Sequence, residues 1–355
     1  MTGRGVDQIL PYPSNPILKE SFVKDARDYI KLAEEVNGKI NYPVTFDYIW
    51  GDALRELEKE EVDIRIINLE TTITTSENFV PKGINYRMNP KNVDVLKVFK
   101  VDIACLANNH ILDFDEEGLL ETIKVLNENG ILTVGAGKDS NTAKQPAIIK
   151  DTICKVLIFN YGDISSGIPM HWKADENKPG INLIDINSNK INEIIQQIKE
   201  NIQKYKKEND FVIFSIHWGA NWGYEISKKE REFAHRLIDE GGVDIVFGHS
   251  SHHFKGIEIY KGRLIVYGAG DFINDYEGIG GYEEFRGDLV LGYMLEINQS
   301  KIDKLILLPF RIKNFRLNYC SKEELDWIFN VLERESTIEG DISKEEQKVF
   351  IRLER

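Results

Sequence analysis

The chain has 355 residues, of which 42% are hydrophobic and 29% are charged, and its formal net charge is −13 at pH 7. This composition is ordinary for a soluble globular protein, and no apolar run approaches the roughly 20 residues that a membrane helix needs. The excess of 58 acidic over 45 basic residues argues against nonspecific nucleic-acid binding, because phosphate neutralisation requires a basic face. As written, the sequence predicts a cytoplasmic protein; a signal or anchor upstream of Met1 is the alternative.

The length and the cysteines narrow the fold class. One large α/β domain with insertions suits 355 residues better than two separate cores. Cys105, Cys154 and Cys320 have no paired spacing, so they indicate neither a zinc knuckle nor a disulfide framework. Cys105 and Cys154 lie in apolar, strand-like runs, and we predict that both are buried and unpaired in a reducing compartment.

The first part of the chain contains a carboxylate that is a candidate metal ligand or general base. Residues 1–17 have loop and extended chemistry, and helical patterns follow over about 20–36 and 48–59. A strand predicted over 62–67 ends in a polar turn that contains Glu70. Glu70 is therefore a candidate metal ligand or general base, although a carboxylate here could equally cap the following turn.

The next informative strand ends in an amide, an imidazole and a carboxylate. It is predicted over 101–106 and is followed by Asn109, His110 and Asp113, and then by a helix over about 116–129. Asn oxygens suit hard divalent cations, and a nearby His can act as a general acid toward a leaving group. The alternative is that the Asn-His pair only caps the helix.

The central stretch carries most of the histidines. Apolar runs over 211–215 and 243–247, with a helical pattern over 227–240 between them, predict a βαβ unit. The loops at the ends of the two runs contain His217, His249 and His252. Because ligands collect outside the carboxyl ends of parallel strands, these imidazoles are candidate metal ligands. Ordinary loop histidines are the alternative.

The other elements surround this centre. Further strands are predicted over 131–134, 148–150, 154–159, 256–260, 263–267, 288–297 and 304–309, and further helices over 92–99, 190–207 and 323–334. A long polar loop over 163–179 is a candidate lid or rim. A Gly-rich acidic loop spans 274–287.

Five motifs in a fixed order carry a family resemblance. They read NLETTIT, LANNHILD, IHWG, GHSSHH and YGAGDFI, each at a predicted strand end. From Gly3 to about Arg316 the chain resembles the CapA capsule-synthesis family, named for poly-γ-glutamate biosynthesis, which is similar to calcineurin-like metallophosphoesterases. The resemblance implies an α/β protein with a four-layer α/β/β/α sandwich over residues 1–320, followed by a helical tail over 321–355.

The resemblance also implies a dinuclear metal site. Glu70 takes the place of the bridging carboxylate, Asn109 and His217 match ligands, and His110 matches the histidine that assists the leaving group. His249 and His252 match the histidines of the family's Gly-His-x-x-His element.

Three features depart from the family's pattern. The family begins with a strand that ends in a metal-binding Gly-Asp, which the written sequence lacks, and Met1 is expected to match a methionine just after it. The sequence HWGANWGYE is longer than the family's usual segment. Asp271 stands where the family commonly has Asn. We expect the last two departures to alter substrate choice.

Such a site permits hydrolysis of a polarised ester. Two divalent ions, manganese, iron or zinc, would activate a bridging hydroxide and neutralise charge on a phosphoryl or similar centre. Because the metal ions and their ligands would together carry a net positive charge, the expected substrate is an anionic small molecule or polymer. Arg4 and Arg87 could bind this anion; the alternative is that both are structural arginines. Two hypotheses follow: a phosphoesterase-like hydrolase, or a non-catalytic accessory protein that binds poly-γ-glutamate or a partner in polymer synthesis or export.

Overall fold

The computed structural model describes residues 1–150, 155–298, 301–338 and 340–353, so the prediction for Cys154 lies outside the described residues. The helices are α1 (Gly5–Ile9), α2 (Arg27–Asn37), α3 (Gly51–Lys59), α4 (Asp94–Val98), α5 (Asp115–Glu128), α6 (Ser140–Ala143), α7 (Ile191–Gln203), α8 (Lys228–Asp239) and α9 (Lys322–Glu335). The first strands are β1 (Ile66–Asn68), β2 (Thr72–Ile73), β3 (Arg87–Met88), β4 (Ile103–Cys105), β5 (Leu132–Val134), β6 (Ala136–Gly137), β7 (Ala147–Lys150), β8 (Lys155–Asp163), β9 (Gly180–Ile181) and β10 (Leu183–Ile184). The later strands are β11 (Phe211–His217), β12 (Ile245–His249), β13 (Ile257–Tyr260), β14 (Arg263–Val266), β15 (Leu289–Asn298), β16 (Lys301–Ile312), β17 (Leu317–Tyr319), β18 (Gly340–Glu345) and β19 (Lys348–Leu353).

A small parallel sheet carries the first two candidate segments. Its strand order is β1-β4-β5, and Asn68 at the end of β1 lies opposite Cys105 at the end of β4. The first strand is shorter than predicted and begins only at Ile66, because the Asp102 carboxylate accepts the backbone N–H of Arg65 at 2.7 Å. Both strands nevertheless deliver their polar turns to the same edge of the sheet.

The predicted βαβ unit is confirmed in a larger mixed sheet of order β10-β8-β11-β12-β14-β13, with β7 beside β8. β11 and β12 are parallel and joined by α8, and His217 lies opposite His249. Helix α8 begins with reciprocal hydrogen bonds between Ser227 and Glu230. Nearly every residue of both strands is buried, which explains their continuous apolar runs.

A third, antiparallel sheet has the order β15-β16-β19-β18, with β17 also beside β16. Within the described residues of the predicted helical tail over 321–355, only α9 is helical, and β18 and β19 form a hairpin in which Ile351 lies opposite Leu305 of β16. The prediction was wrong because this segment is rich in Lys and Glu, which favour helices. These residues obscure the alternation of polar and apolar residues typical of a strand, in which Val349 and Ile351 are buried. The domain boundary at residue 320 stays a prediction.

The sheets and helices share several apolar clusters. Helices α7 and α8 pack on one face of the large sheet through residues such as Ile198 and Phe233. Helix α9 and the third sheet pack against β13 and β14 through residues such as Ile328 and Leu305. The protein is thus a mixed α/β fold with parallel and mixed sheets. Among the described residues, no helix combines the length and apolar character that crossing a membrane requires.

Two helical predictions differ from the structure at the amino-terminal end. The helix expected over 20–36 begins only at Arg27, and residues 5–9, expected to be a loop, form α1. Helix α1 is fully buried and its Gly5 N–H donates to the Asp275 carboxylate at 2.8 Å. A long-range contact therefore supports a helix too short for its own sequence to indicate.

Candidate functional site

Polar side chains from the small parallel sheet and from parallel strands of the large mixed sheet meet around Glu70. Its Oε1 lies 3.9 Å from Nε2 of His217 and 4.0 Å from Nε2 of His110. Glu70 follows β1, His110 follows β4 and His217 ends β11, so each side chain lies where a parallel strand ends. All three residues are buried. The two sheets therefore bring together residues that are far apart in the chain.

His217 and His249 form a hydrogen-bonded pair of imidazoles. Their Nδ1 atoms are 2.8 Å apart, and Nε2 of His249 lies 2.8 Å from Oγ of Ser215. Burial lowers the pKa of His249 to about 3, and burial together with His249 lowers the pKa of His217 well below its usual range. Both rings are neutral at pH 7, which is the form that binds metals. His217 Nε2 is buried without a hydrogen-bond partner among the described residues.

A buried amide holds Ser215 in place. Nδ2 of Asn160 donates to Oγ of Ser215 at 3.2 Å, while Oδ1 of Asn160 accepts the N–H of Ala107 at 2.7 Å. Ala107 lies just before the Asn108-Asn109-His110 loop. Asn160 on β8 therefore links the loop after β4 to the Ser215–His249–His217 chain on the large sheet.

Burial raises the pKa of the Glu70 carboxyl to about 7, and the nearby His252 opposes that increase. Its Oε2 accepts a hydrogen bond from Nδ2 of Asn68 at 3.1 Å. At neutral pH the carboxyl is thus poised between its protonated and ionised forms. A cation placed beside it would favour the carboxylate.

His110 belongs to a second buried hydrogen-bond group. Its Nδ1 lies 2.7 Å from Oδ2 of Asp113, and Nζ of Lys82 lies 2.8 Å from the other Asp113 oxygen. Lys82 also donates to the carbonyl of Asn109. Burial lowers the pKa of His110 to about 4 although Asp113 opposes the shift. Neutral His110 donates Nδ1–H to Asp113 and presents an unprotonated Nε2 toward Glu70, so it must take up a proton before it can act as an acid.

His252 occupies the other side of the site. Its Nδ1 lies 3.2 Å from the Asp271 carboxylate, and although burial would lower the pKa of His252, Asp271 raises it above the usual value. The Tyr276 hydroxyl lies 3.5 Å from Nε2 of His252 and 2.9 Å from the hydroxyl of Tyr86. The ring of Tyr86 in turn stands edge-on to His110, with ring centres 4.6 Å apart. Two phenols therefore span the distance from His252 to His110.

An aromatic wall flanks His252. The Trp222 ring stacks on Tyr282 with ring centres 4.2 Å apart and lies 5.5 Å from the ring of His252. Nε2 of His253 accepts the backbone N–H of Gly223 at 3.1 Å, which anchors the Trp222 loop. The long HWGANWGYE segment and the acidic loop over 274–287 thus close one side of the site together.

Sequence comparisons bear on this arrangement of strand ends. A family model described as "Bacterial capsule synthesis protein PGA_cap" matches residues 1–276. The chain belongs to this family. It is 43% identical over 340 residues to a probable polyglutamine synthesis accessory protein of Mycobacterium tuberculosis, a match that covers 94% of this chain and 88% of the relative.

Two proteins named for capsule or polymer biosynthesis are more distant relatives within the same comparison. The PGA biosynthesis protein CapA of Bacillus subtilis is 28% identical over 234 residues, which covers 65% of this chain and 57% of that protein. The capsule biosynthesis protein CapA of Bacillus anthracis is 24% identical over 273 residues, which covers 77% of this chain and 63% of that protein.

The two candidate anion-binding arginines of this PGA_cap chain are held by other protein groups. Arg4 is buried, contacts both oxygens of Asp275 at 2.9 and 2.6 Å, and also bonds Glu20 at 3.0 Å. The guanidinium of Arg87 donates to the carbonyl of Ser76 at 2.7 Å and packs over the ring of Phe114. Both side chains are structural, which is the second of the two roles that the sequence left open.

The remaining predicted residues differ in how closely they approach the centre. Glu70, His110 and His217 approach one another, His249 contacts His217, and His252 lies near enough to Glu70 to influence its pKa. Asn109 lies in the same loop as His110, and its Oδ1 is buried without a hydrogen-bond partner in the part of the chain described. Sequence reasoning gave no role to Lys82, Tyr86, Asn160, Ser215 or Tyr276; Ser215 alone had a local signal, as a hydroxyl inside an apolar strand.

Two side-chain atoms of the site have the chemistry of metal ligands. Two buried donor atoms, Nε2 of His217 and Oδ1 of Asn109, have no hydrogen-bond partner among the described residues, which is costly unless a ligand completes them. They are an imidazole nitrogen and an amide oxygen beside a carboxylate, a set that suits a divalent transition metal. In the same described ranges, no three His, Cys, Asp or Glu side chains are grouped so that they could hold a metal ion.

Proposed function

We propose that this protein acts in the synthesis of a capsule-type polymer such as poly-γ-glutamate, and that it carries a metal-dependent hydrolase site. The observation that carries the proposal is that Nε2 of His110 and Nε2 of His217 both lie within 4.0 Å of Oε1 of Glu70, and that Nε2 of His217 has no hydrogen-bond partner among the described residues. A four-layer α/β/β/α sandwich of the metallophosphoesterase type is the fold we propose for it. The parallel sheets, which deliver these residues at their strand ends, support that fold.

The residues that would hold two divalent ions are Glu70, Asn109, His217, His249 and His252. His249 would have to give up its hydrogen bond to His217 or to Ser215 to do so. When bound, manganese, iron or zinc would supply an activated water and neutralise charge on an ester of an anionic substrate. Asp113 fixes the tautomer of His110 and aims its Nε2 into the site, where it can exchange a proton with a leaving group. Trp222 and the two phenols, Tyr86 and Tyr276, would limit which substrates enter.

The second candidate is a non-catalytic accessory protein that binds the polymer or a partner. The name of the Mycobacterium tuberculosis relative, a synthesis accessory protein, favours it. It also agrees with the finding that no three His, Cys, Asp or Glu side chains among the described residues are grouped so that they could hold a metal ion. Binding without hydrolysis would need the fold but not His110.

Metal content and turnover of two phosphoesters separate these candidates. His217→Ala should lower bound Mn²⁺ and slow hydrolysis of both a good-leaving-group and a poor-leaving-group ester, because a ligand serves every substrate. His110→Ala should keep its metal but lose roughly 10²- to 10⁴-fold on the poor-leaving-group ester and much less on the activated one. His171→Ala, in an exposed loop, is the control and should match wild type.

Several outcomes would contradict the proposal. If His217→Ala binds as much Mn²⁺ as wild type, the ligand assignment is wrong. If His110→Ala strips the metal, or slows both esters equally with metal retained, the general-acid assignment is wrong. If wild type binds poly-γ-glutamate but hydrolyses neither ester with any of the three metals, the accessory role is favoured.

A further inference from the structure

A cavity lies away from the candidate site, at the β10 edge of the large sheet beside α7. Its volume is about 200 Å³. Its polar lining includes three lysines, two asparagines and a tyrosine: Lys144, Lys173, Lys204, Asn182, Asn201 and Tyr161. We call it the lysine pocket.

The lysine pocket opens on the opposite face of the sheet from the histidines. Asn160 and Tyr161 are consecutive on β8, so their side chains point to opposite faces. Asn160 reaches Ser215 and so the histidine pair, whereas Tyr161 stacks on Phe214 in the layer between the sheet and α7. A ligand in the lysine pocket would therefore not touch Glu70 or His217.

The three ammonium groups of the pocket have no carboxylate partner among the described residues. The contrast with Lys206, which lies just after α7 and pairs with Asp244 at 3.4 Å, shows that lysines in this region can find carboxylates. Burial and the nearby Lys144 lower the pKa of Lys173, which is the behaviour of a cation without a compensating anion. One carboxylate, Glu200, lines the pocket, and it accepts a hydrogen bond from Gln196 at 2.9 Å.

The inner surface of the pocket joins buried, uncharged polar side chains to the aliphatic side chains of Leu183, Ile184, Ile194 and Ile198. Asn182, Asn201 and Tyr161 are all buried, and the two amides interact with the Tyr161 hydroxyl. Nδ2 of Asn201 donates to the backbone carbonyl of Lys144 at 2.9 Å, which ties the end of α6 to α7. The pocket thus combines a partly polar, partly aliphatic inner surface with three exposed lysines at its rim.

We propose that the lysine pocket binds a small organic anion with two or three carboxylate groups. The lysines come from three separate segments, so an anion with spaced charges can contact more of them than one compact charge can. An unpaired cluster of this kind on a protein of net charge −13 would concentrate such an anion locally. The inference does not depend on the metal site or on any hydrolysis.

Calorimetric titration of the full chain tests the proposal, with tricarballylate, succinate and acetate as probes at constant ionic strength. Affinity should fall in that order and should weaken as salt is raised. Lys144→Gln, Lys173→Gln and Lys204→Gln should each weaken tricarballylate binding by up to about fivefold, and the triple variant by up to about a hundredfold. The side-chain amide NMR signals of Asn182 and Asn201 should shift on binding.

Two control variants keep the outcome unambiguous. Lys190→Gln removes an exposed lysine of the same helix region outside the pocket and should bind like wild type. His217→Ala should also bind tricarballylate like wild type, whatever happens to its metal content. The proposal is overturned if the correctly folded triple variant keeps wild-type affinity, if Lys190→Gln weakens binding as much as the pocket variants, or if His217→Ala abolishes it.

Discussion

Asn160 is the residue whose loss should best reveal how the two sheets are coupled. Its side chain is 1% exposed and bonds the Ala107 N–H at 2.7 Å, the Ser215 hydroxyl at 3.2 Å and the Ser215 carbonyl at 3.3 Å. Asn160→Ala would leave the fully buried N–H of Ala107 without an acceptor, at a cost of about 1–3 kcal/mol. The lost bonds to Ser215 add about 1 kcal/mol, so we expect a total destabilisation of roughly 2–4 kcal/mol.

Urea unfolding followed by fluorescence and by far-ultraviolet circular dichroism measures this change, and agreement of the two signals tests for a single transition. Asn177→Ala is the matched control, because Asn177 is exposed and its side chain makes no hydrogen bond within the described residues. That variant should lie within about 0.5 kcal/mol of wild type. Ser215→Ala removes the hydroxyl that bonds His249 and Asn160, while Asn160 keeps its bonds to the Ser215 carbonyl and the Ala107 N–H; it should cost about 1–2 kcal/mol.

The reasoning would be refuted if Asn160→Ala were no less stable than Asn177→Ala. That outcome would mean that Ala107 finds another acceptor or that water enters the space between the sheets. If Asn160→Ala were destabilised as expected and Ser215→Ala were neutral, the link to the loop after β4 would stand, but the proposed support of His249 would be wrong.

Three further experiments, two on substituted proteins and one on the unchanged protein, test local features of the fold. Gly135→Ala should be more destabilising in urea unfolding than Gly130→Ala. Both glycines have a positive φ, which costs about 1 kcal/mol when the residue is Ala. In addition, a Cβ at Gly135 would lie 2.1 Å from Oδ1 of Asn160, whereas a Cβ at Gly130 would meet no atom within 4 Å. Burial raises the pKa of the Cys105 thiol to about 12, so at pH 8 it should react with a thiol reagent only after denaturant is added, and rapid native labelling would contradict its placement. Burial would raise the pKa of Glu56, but its hydrogen bonds, among them one from Tyr319 at 2.8 Å, lower it overall. Glu56→Gln should therefore cost roughly 1 kcal/mol at pH 7, and its difference from wild type should vanish as pH falls through that lowered pKa; an equal difference at pH 7 and pH 3 would exclude an ionic contribution.

Part of the site could be predicted from the sequence because a buried parallel strand appears as a continuous run of apolar residues. Apolar runs that stop at polar turns predicted strands β11 and β12 and the regions of β1 and β4. They also predicted that four candidate site residues follow or end these strands: Glu70, Asn109, His217 and His249. The unit of β11, α8 and β12 was predicted with nearly correct bounds, because its capping residues and apolar runs are local signals.

Tertiary structure decided which of these strand ends face each other. Nothing local to Glu70 or His217 specifies a separation of 3.9 Å, which depends on how two sheets pack. Ser215 is a polar residue inside an apolar strand, and Asn160 lies just beyond the predicted end of another; only the packed sheets show that they support His249. The carboxy-terminal hairpin was missed for a related reason: its residues favour a helix by intrinsic propensity, and pairing with β16 outweighs that preference because it buries Val349 and Ile351.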